Sequence, residues 1–414
     1  MSSSETFVII GASLAGAKTA QALRDQGFTG RVVLVGAESH LPYERPPLSK
    51  GYLAGSADRE KVFVQPESWY AEQNVELRLN HTVSRIDRDA RSVELADGTQ
   101  VGYDKLLLAT GASPRTLSVP GSDAEGVHLL RTLDDSDSLR ALLPTLSRLV
   151  VIGAGWIGLE VAAAARQAGV EVTVVENAEL PLLRVLGPEV ARVFADLHVQ
   201  HGVDFRFNAT LTDIRVSAGR ASGVTLGDGT VIEADAVLVA VGVTPNSQLA
   251  EDAGLSVDNG VLLDSSLCSS DWRIFAAGDV ANAMNALYNK HIRVEHWANA
   301  LNQPTTAAAS MLGQRAQYDQ LPYFFTDQYD LGMEYVGYVD PGGYDQVVFR
   351  GDVAGREFIA FWLKDGRVLA GMNVNVWDVT DDIKTLIRSQ TGIDADRLAD
   401  TAIPLADLAA AAAG

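Results

Sequence analysis

The sequence predicts an α/β chain built from two doubly wound units on one plan, followed by a smaller α+β domain. Three observations carry this. An order of strand, glycine turn, helix, strand and acid occurs twice. Each occurrence is followed by a hairpin and an apolar strand ending in glycine. From about Pro322 onward, aromatic strand-like runs replace that pattern.

The first strand is Phe7-Val-Ile-Ile-Gly11 and its counterpart is Leu149-Val-Val-Ile-Gly153. Short β-branched runs of this kind suit parallel strands buried on both faces. Ala-rich helices follow, over 15–26 and 158–167. Next come Arg31-Val-Val-Leu-Val-Gly-Ala-Glu38 and Glu171-Val-Thr-Val-Val-Glu176, each a strand ending at an acid. Downstream, Leu95-Ala-Asp-Gly98-Thr matches Leu226-Gly-Asp-Gly229-Thr, and Asp-Gly between strand-like runs marks a hairpin. Leu106-Leu-Leu-Ala-Thr-Gly111 and Val237-Leu-Val-Ala-Val-Gly242 then repeat the apolar strand, with Pro114 and Pro245 beyond. In the last part, Gln346–Phe349 and Phe358–Leu363 read as strands, and Lys364-Asp-Gly366-Arg as a hairpin turn. The helix after them has Asp381 and Asp382 in its first turn and Arg388 in its last, both favourable to its dipole. The predicted domains are 1–113 with 244–321, then 114–243, then 322–414.

The glycine loops point to chemistry. Gly153-Ala-Gly155-Trp-Ile-Gly158 is a full G-x-G-x-x-G: a tight turn, a close approach for a pyrophosphate, and close packing of helix on strand. The helix start offers free N–H groups and partial positive charge to phosphates. Glu176 lies 18 residues after Gly158, where a carboxylate accepts from ribose hydroxyls and repels a 2′-phosphate. NADH is therefore expected over NADPH. In the first loop, Gly11-Ala-Ser13-Leu-Ala15-Gly16, serine takes the second glycine position, and Glu38 follows 22 residues after Gly16. Two Rossmann-like dinucleotide-binding units in one chain suggest FAD in one and NAD in the other.

Composition excludes some alternatives. The net charge of −20 opposes nucleic-acid and anionic-membrane partners. The one cysteine, Cys268, rules out an internal redox dithiol and a multi-cysteine metal site, so no metal is expected; Cys268 itself reads as a small buried residue. The first residues lack a basic region followed by an apolar stretch, and no segment is long and apolar enough for a span, so a cytoplasmic protein is expected.

Further stretches give a resemblance to a known family. Leu41-Pro-Tyr-Glu-Arg45-Pro-Pro-Leu-Ser-Lys50 puts a rigid turn before one cation. Glu160 follows Gly158 by two residues. Ala109-Thr110-Gly111-Ala-Ser-Pro-Arg115 precedes Leu130-Arg131-Thr. Ile274-Phe-Ala-Ala-Gly278-Asp279 ends an apolar strand at an acid, and Val294-Glu-His296-Trp297 opens a helix. With these the chain resembles the FAD-dependent NADH:ferredoxin reductases that serve bacterial Rieske oxygenases and cytochromes P450.

The resemblance implies a glutathione-reductase-like fold, bound FAD, NADH as donor and a [2Fe–2S] ferredoxin as acceptor. It implies FAD or NAD contacts at Gly11, Ser13, Ala15, Gly16, Glu38, Arg45, Lys50, Val83, Ala109, Thr110, Gly111, Arg131, Gly278, Asp279 and Trp297. It implies the same at Gly153, Gly155, Ile157, Gly158, Glu176, Arg184 and Gly242. Lys50 and Glu160 are implied to pair and to act in catalysis beside the flavin. One departure stands out: Phe324-Phe325-Thr326-Asp327-Gln328 carries Phe325 where the family commonly has tryptophan. Lys290, His291 and Arg293 are candidate docking cations for an acidic ferredoxin. The alternatives are a rubredoxin reductase, an NADH oxidase, or an NAD(H)-sensing flavoprotein resembling apoptosis-inducing factors. Peroxidase and CoA-disulfide types need a cysteine near Leu48-Ser49-Lys50, which is absent.

Overall fold

The computed structural model describes residues 5–413, which separate into two units. Unit 1 takes the described residues up to Arg45, with Arg59–Ser113 and Val243–Pro322. Unit 2 takes Pro46–Asp58, Pro114–Gly242 and the chain from Tyr323.

Unit 1 is centred on a five-stranded parallel sheet in the order Ile274–Ala276, Lys105–Leu108, Thr6–Ile10, Arg31–Val35, Val75–Arg78. Its middle strands are buried on both faces, as their unbroken apolar runs require. The helix Leu14–Asp25 joins the first two strands, and the helix Trp297–Met311 packs on it. The hairpin at Asp97-Gly98 forms as expected: Thr99 N–H donates to Asp97 Oδ1 at 2.9 Å. It belongs to a three-stranded antiparallel sheet, Val83–Asp87, Ser92–Leu95 and Gln100–Gly102.

Unit 2 repeats the plan. Its parallel sheet runs Asp204–Arg206, Glu171–Val175, Arg148–Ile152, Ala236–Val239, Val127–His128. The antiparallel sheet Leu211–Ser217, Arg220–Leu226 and Val231–Glu233 includes the second Asp-Gly hairpin. The C-terminal part of the unit is an antiparallel sheet in the order Tyr323–Gln328, Leu331–Gly337, Arg367–Val374, Glu357–Lys364, Gln346–Asp352. The amphipathic helix Thr380–Ser389 buries Ile383, Leu386 and Ile387 against it.

Two groupings differ from the sequence-based division. Residues 46–58 go with unit 2 because they bond there: Ser136 Oγ donates to Leu48 O at 2.8 Å, and Tyr52 donates to Asp137. Residues from Tyr323 share that unit because buried Trp362 donates to Leu186 O at 3.0 Å and Phe324 packs on Trp156. The helix Leu183–Gln200 that carries Leu186 was not read from sequence. Gly187, at φ 76, and Pro188 interrupt its pattern.

Candidate functional site

In unit 1 the turn after Thr6–Ile10 is shaped by close approach. A Cβ at Gly16 would lie 1.9 Å from Gly11 O, so the third loop position admits only glycine. Ser13 stands at the start of the helix Leu14–Asp25 without a side-chain cap bond, and Arg45 Nη1 donates to its Oγ. Arg45 also meets Glu38 Oε1 at 3.4 Å, and Tyr43 O–H donates to Glu38 Oε2 at 2.5 Å. A cation, a hydroxyl and an unsatisfied helix start thus face one place, with an acid at the next strand end. This donor set suits a pyrophosphate and a ribose.

The edge strand Ile274–Ala276 of unit 1's sheet leads into Gly278 and Asp279 on the same side of the sheet as the Gly11 turn. Gly278 sits at φ +80, where a Cβ would press on Ala15 at 3.1 Å, and its N–H donates to buried Gln303 Oε1 at 2.8 Å. Asp279 is half-buried. Thr110 and Asn246 exchange two bonds, 2.7 and 2.8 Å, that fix the turn at Ala109–Gly111. The helix Trp297–Met311 starts after His296, whose ring makes no cap bond. Burial pushes its pKa down to about 4, with Asp279 acting the other way. Trp297 Nε1 donates to Glu44 Oε2 at 3.0 Å. Val83 lies in the hydrophobic core, so only its backbone can serve a ligand.

In unit 2 the corresponding turn borders a cleft of about 460 Å³ lined by Gly153–Trp156, Glu176, Leu182–Val185 and Gly242. A Cβ at Gly158 would lie 2.2 Å from Gly153 O, the counterpart of Gly16 and Gly11. Gly155, by contrast, has nothing within 4 Å of its missing Cβ, and that open side faces the start of the 12-residue helix Trp156–Gln167. Glu176 accepts from Ala154 N–H at 2.8 Å and Ala178 N–H at 2.9 Å, which holds it at the rim. Arg184 lines the cleft from its exposed end, and Ile157 is half-buried in the helix's first turn. The residues fit a dinucleotide.

One turn further along that helix, Glu160 is buried and Lys50 Nζ lies 2.8 Å from its Oε1. Ser49 Oγ donates to Oε2, and Thr326 Oγ1 donates to Oε1 at 2.6 Å. Lys50 also stands 5.6 Å from the centre of the Phe325 ring. Burial raises the Asp327 pKa, Lys50 lowers it and Glu160 adds to the rise. Ser49 and Thr326 were not assigned from sequence, because each lies inside a motif stretch but its partner, Glu160, is 111 and 166 residues away, respectively. Arg131 precedes a capping box: its N–H and that of Thr132 donate to Asp135 Oδ2 at 3.0 and 2.8 Å.

The docking triplet does not stand as a patch. The Arg293 side chain is only 9% exposed: its Nη1 donates to Asp279 O at 3.3 Å and pairs with Glu295 at 2.6 Å. Cys268 is half-buried and burial pushes its thiol up to about 11. Among the described residues no cluster of His, Cys, Asp or Glu could hold a metal, and no helix is long and apolar enough to cross a membrane.

Residues 5–304 match the family model described as pyridine nucleotide-disulphide oxidoreductase, and residues 323–409 match one described as reductase C-terminal. Rhodocoxin reductase of Rhodococcus erythropolis is 43% identical, over 89% of this chain and 86% of its own. The ferredoxin--NAD(+) reductase component of the anthranilate 1,2-dioxygenase system of Burkholderia cepacia is 42% identical, over 97% of this chain and 99% of its own. Among solved structures, the covalent putidaredoxin reductase–putidaredoxin complex superposes with a TM-score of 0.95, at 38% identity and 99% coverage of both chains.

Proposed function

We propose that this chain, which belongs to the pyridine nucleotide-disulphide oxidoreductase family and within it to the ferredoxin--NAD(+) reductases, passes electrons from NADH through FAD to a [2Fe–2S] ferredoxin. The observation that carries the reading is the duplicated glycine turn, unequal in detail: Ser13 with Arg45 in unit 1, open Gly155 with Glu176 in unit 2. Bound FAD would supply the chemistry that takes two electrons as one hydride and gives them up one at a time, which matches a two-electron donor to a one-electron acceptor.

The protein's part is binding, orientation and electrostatics. Gly11, Ser13, Ala15, Gly16, Glu38, Arg45, Ala109–Gly111, Gly278, Asp279 and Trp297 are assigned to FAD, with Val83 through its backbone and Arg131 by the family pattern. Gly153, Gly155, Ile157, Gly158, Glu176, Arg184 and Gly242 are assigned to NADH. The helix starts at Leu14 and Trp156 supply N–H groups to phosphates, and the start at Trp297 offers partial positive charge where reduction adds negative charge. Lys50 and Glu160 are assigned to order the nicotinamide end and hold charge balanced. The absence of an internal dithiol directs electrons to an external acceptor. The cytoplasm is the proposed location.

The test is direct. The purified holoprotein should release FAD on denaturation and be bleached anaerobically by NADH much faster than by NADPH. A preparation that binds no flavin, or one that NADH cannot reduce, overturns the proposal.

A further inference from the structure

Beyond Glu160 the polar contacts of unit 2 continue in a line. Thr326 Oγ1 donates to Glu160 Oε1 at 2.6 Å. Gln328 Nε2 lies 3.2 Å from Thr326 Oγ1. His198 Nε2 lies 2.8 Å from Gln328 Oε1, and Tyr329 O–H is 3.5 Å from His198 Nδ1. Thr326, Gln328 and His198 are at most 1% exposed, so water does not complete these bonds. The strand Tyr323–Gln328 supplies Thr326 and Gln328, the turn after it Tyr329, and the last turn of the helix Leu183–Gln200 supplies His198; the chain ends at Glu160 on the helix Trp156–Gln167.

The hydrogen inventory gives the line a direction. Glu160, as the carboxylate paired with Lys50, only accepts. Thr326 has one hydroxyl hydrogen, and Glu160 takes it. Thr326 Oγ1 must then accept from the Gln328 amide, which turns Gln328 Oε1 toward His198. His198 must carry its proton on Nε2, which leaves Nδ1 to accept from Tyr329. Burial pushes the His198 pKa down to about 4, in keeping with a neutral ring that carries one proton. Bonds aligned head to tail in a dry interior polarise one another.

We propose that Tyr329, His198, Gln328 and Thr326 form a one-way donor chain ending on Glu160, and that Thr326 and Gln328 are positioning residues that aim its carboxylate at Lys50. The first strand of the C-terminal part thereby becomes part of the machinery rather than a cover. This rests on the assignment of Lys50 and Glu160 to the NADH reaction.

The experiment uses the FAD-loaded protein, rapid mixing with NADH without oxygen, and 15N spectra of labelled histidine. The His198 ring should show the Nε2–H tautomer. Thr326→Val should lower the limiting rate of flavin reduction about tenfold, the loss expected for a hydrogen bond to a charged group. NADH affinity should stay within about twofold. Thr326→Ser should restore the rate. Gln328→Glu, closer in shape but an acceptor toward Thr326, should be slower at neutral pH than Gln328→Met, which breaks the chain without reversing it. An Nδ1–H tautomer, an unchanged rate in Thr326→Val, or Gln328→Glu faster than Gln328→Met overturns the chain. If Lys50→Met also leaves the rate unchanged, the assignment of the pair falls and the chain with it. If Lys50→Met slows reduction and Thr326→Val does not, only the chain falls.

Discussion

Lys50 and Glu160 come from segments 110 residues apart and bond at 2.8 Å with little exposure. A charge in such a place is costly to leave alone, so the pair should respond asymmetrically. Glu160→Gln leaves the Lys50 ammonium without its counter-charge and should lower stability by about 3 kcal/mol. The double variant Lys50→Met with Glu160→Gln should be more stable than the Glu160→Gln single, as denaturant titration of the FAD-loaded protein would read. In kinetics either single change should slow flavin reduction by NADH about 100-fold, the scale of losing one aligned charge at a reacting centre.

His198 belongs to the same scale. Its folded pKa of about 4 lies below its ordinary value of 6.5, so between those values the unfolded chain binds a proton that the folded chain does not. Stability should therefore fall as pH drops from about 6.5 to 4, by about 3 kcal/mol for this residue. Comparing the pH dependence of unfolding with that of His198→Asn isolates it. Equal slopes would show that His198 does not carry the effect.

At the scale of elements, the glycine turns do different jobs with the same backbone. Gly16 and Gly158 close helix onto strand, while Gly155 leaves an open side. Gly155→Leu should fill that side and weaken NADH binding at least tenfold, roughly the worth of a misfit in a shaped pocket, with FAD content unchanged. Equilibrium titration with NAD(H) reads the first and flavin absorbance the second. Unaltered NADH affinity would show that the nucleotide does not approach through Gly155.

These turns were legible in the sequence because buried parallel strands, Gly spacing and terminal acids are local signals. Phe7–Gly11 and Leu149–Gly153 took their expected places, as did both Asp-Gly hairpins. The helix Leu183–Gln200 was not legible because Gly187 and Pro188 break its period. The partners of Glu160 were not legible either: Ser49 and Thr326 reach it across 111 and 166 residues. The basic triplet misled for a related reason, since the sequence does not show that Arg293 folds back on the Asp279 carbonyl, 14 residues away, with Glu295 as its ion-pair partner.

At the scale of the whole molecule, the account is a division of labour. One copy of a shared plan, with a serine and an arginine at its turn, is assigned the flavin. The other, with an open glycine, is assigned the exchangeable nucleotide. A single cysteine, its thiol pushed up to about 11, supplies no internal acceptor. Electrons taken from NADH therefore go to an external acceptor, and the ferredoxin partnership of the relatives points to a protein rather than oxygen. The most direct measurement is NADH-dependent reduction of cytochrome c by the FAD-loaded protein, with and without a [2Fe–2S] ferredoxin, beside ferricyanide reduction as a control for the first half-reaction. The account predicts that ferricyanide is reduced without ferredoxin and that cytochrome c is reduced rapidly only when ferredoxin is present. Equal cytochrome c rates with and without ferredoxin, across a panel of oxygenase ferredoxins, would contradict it.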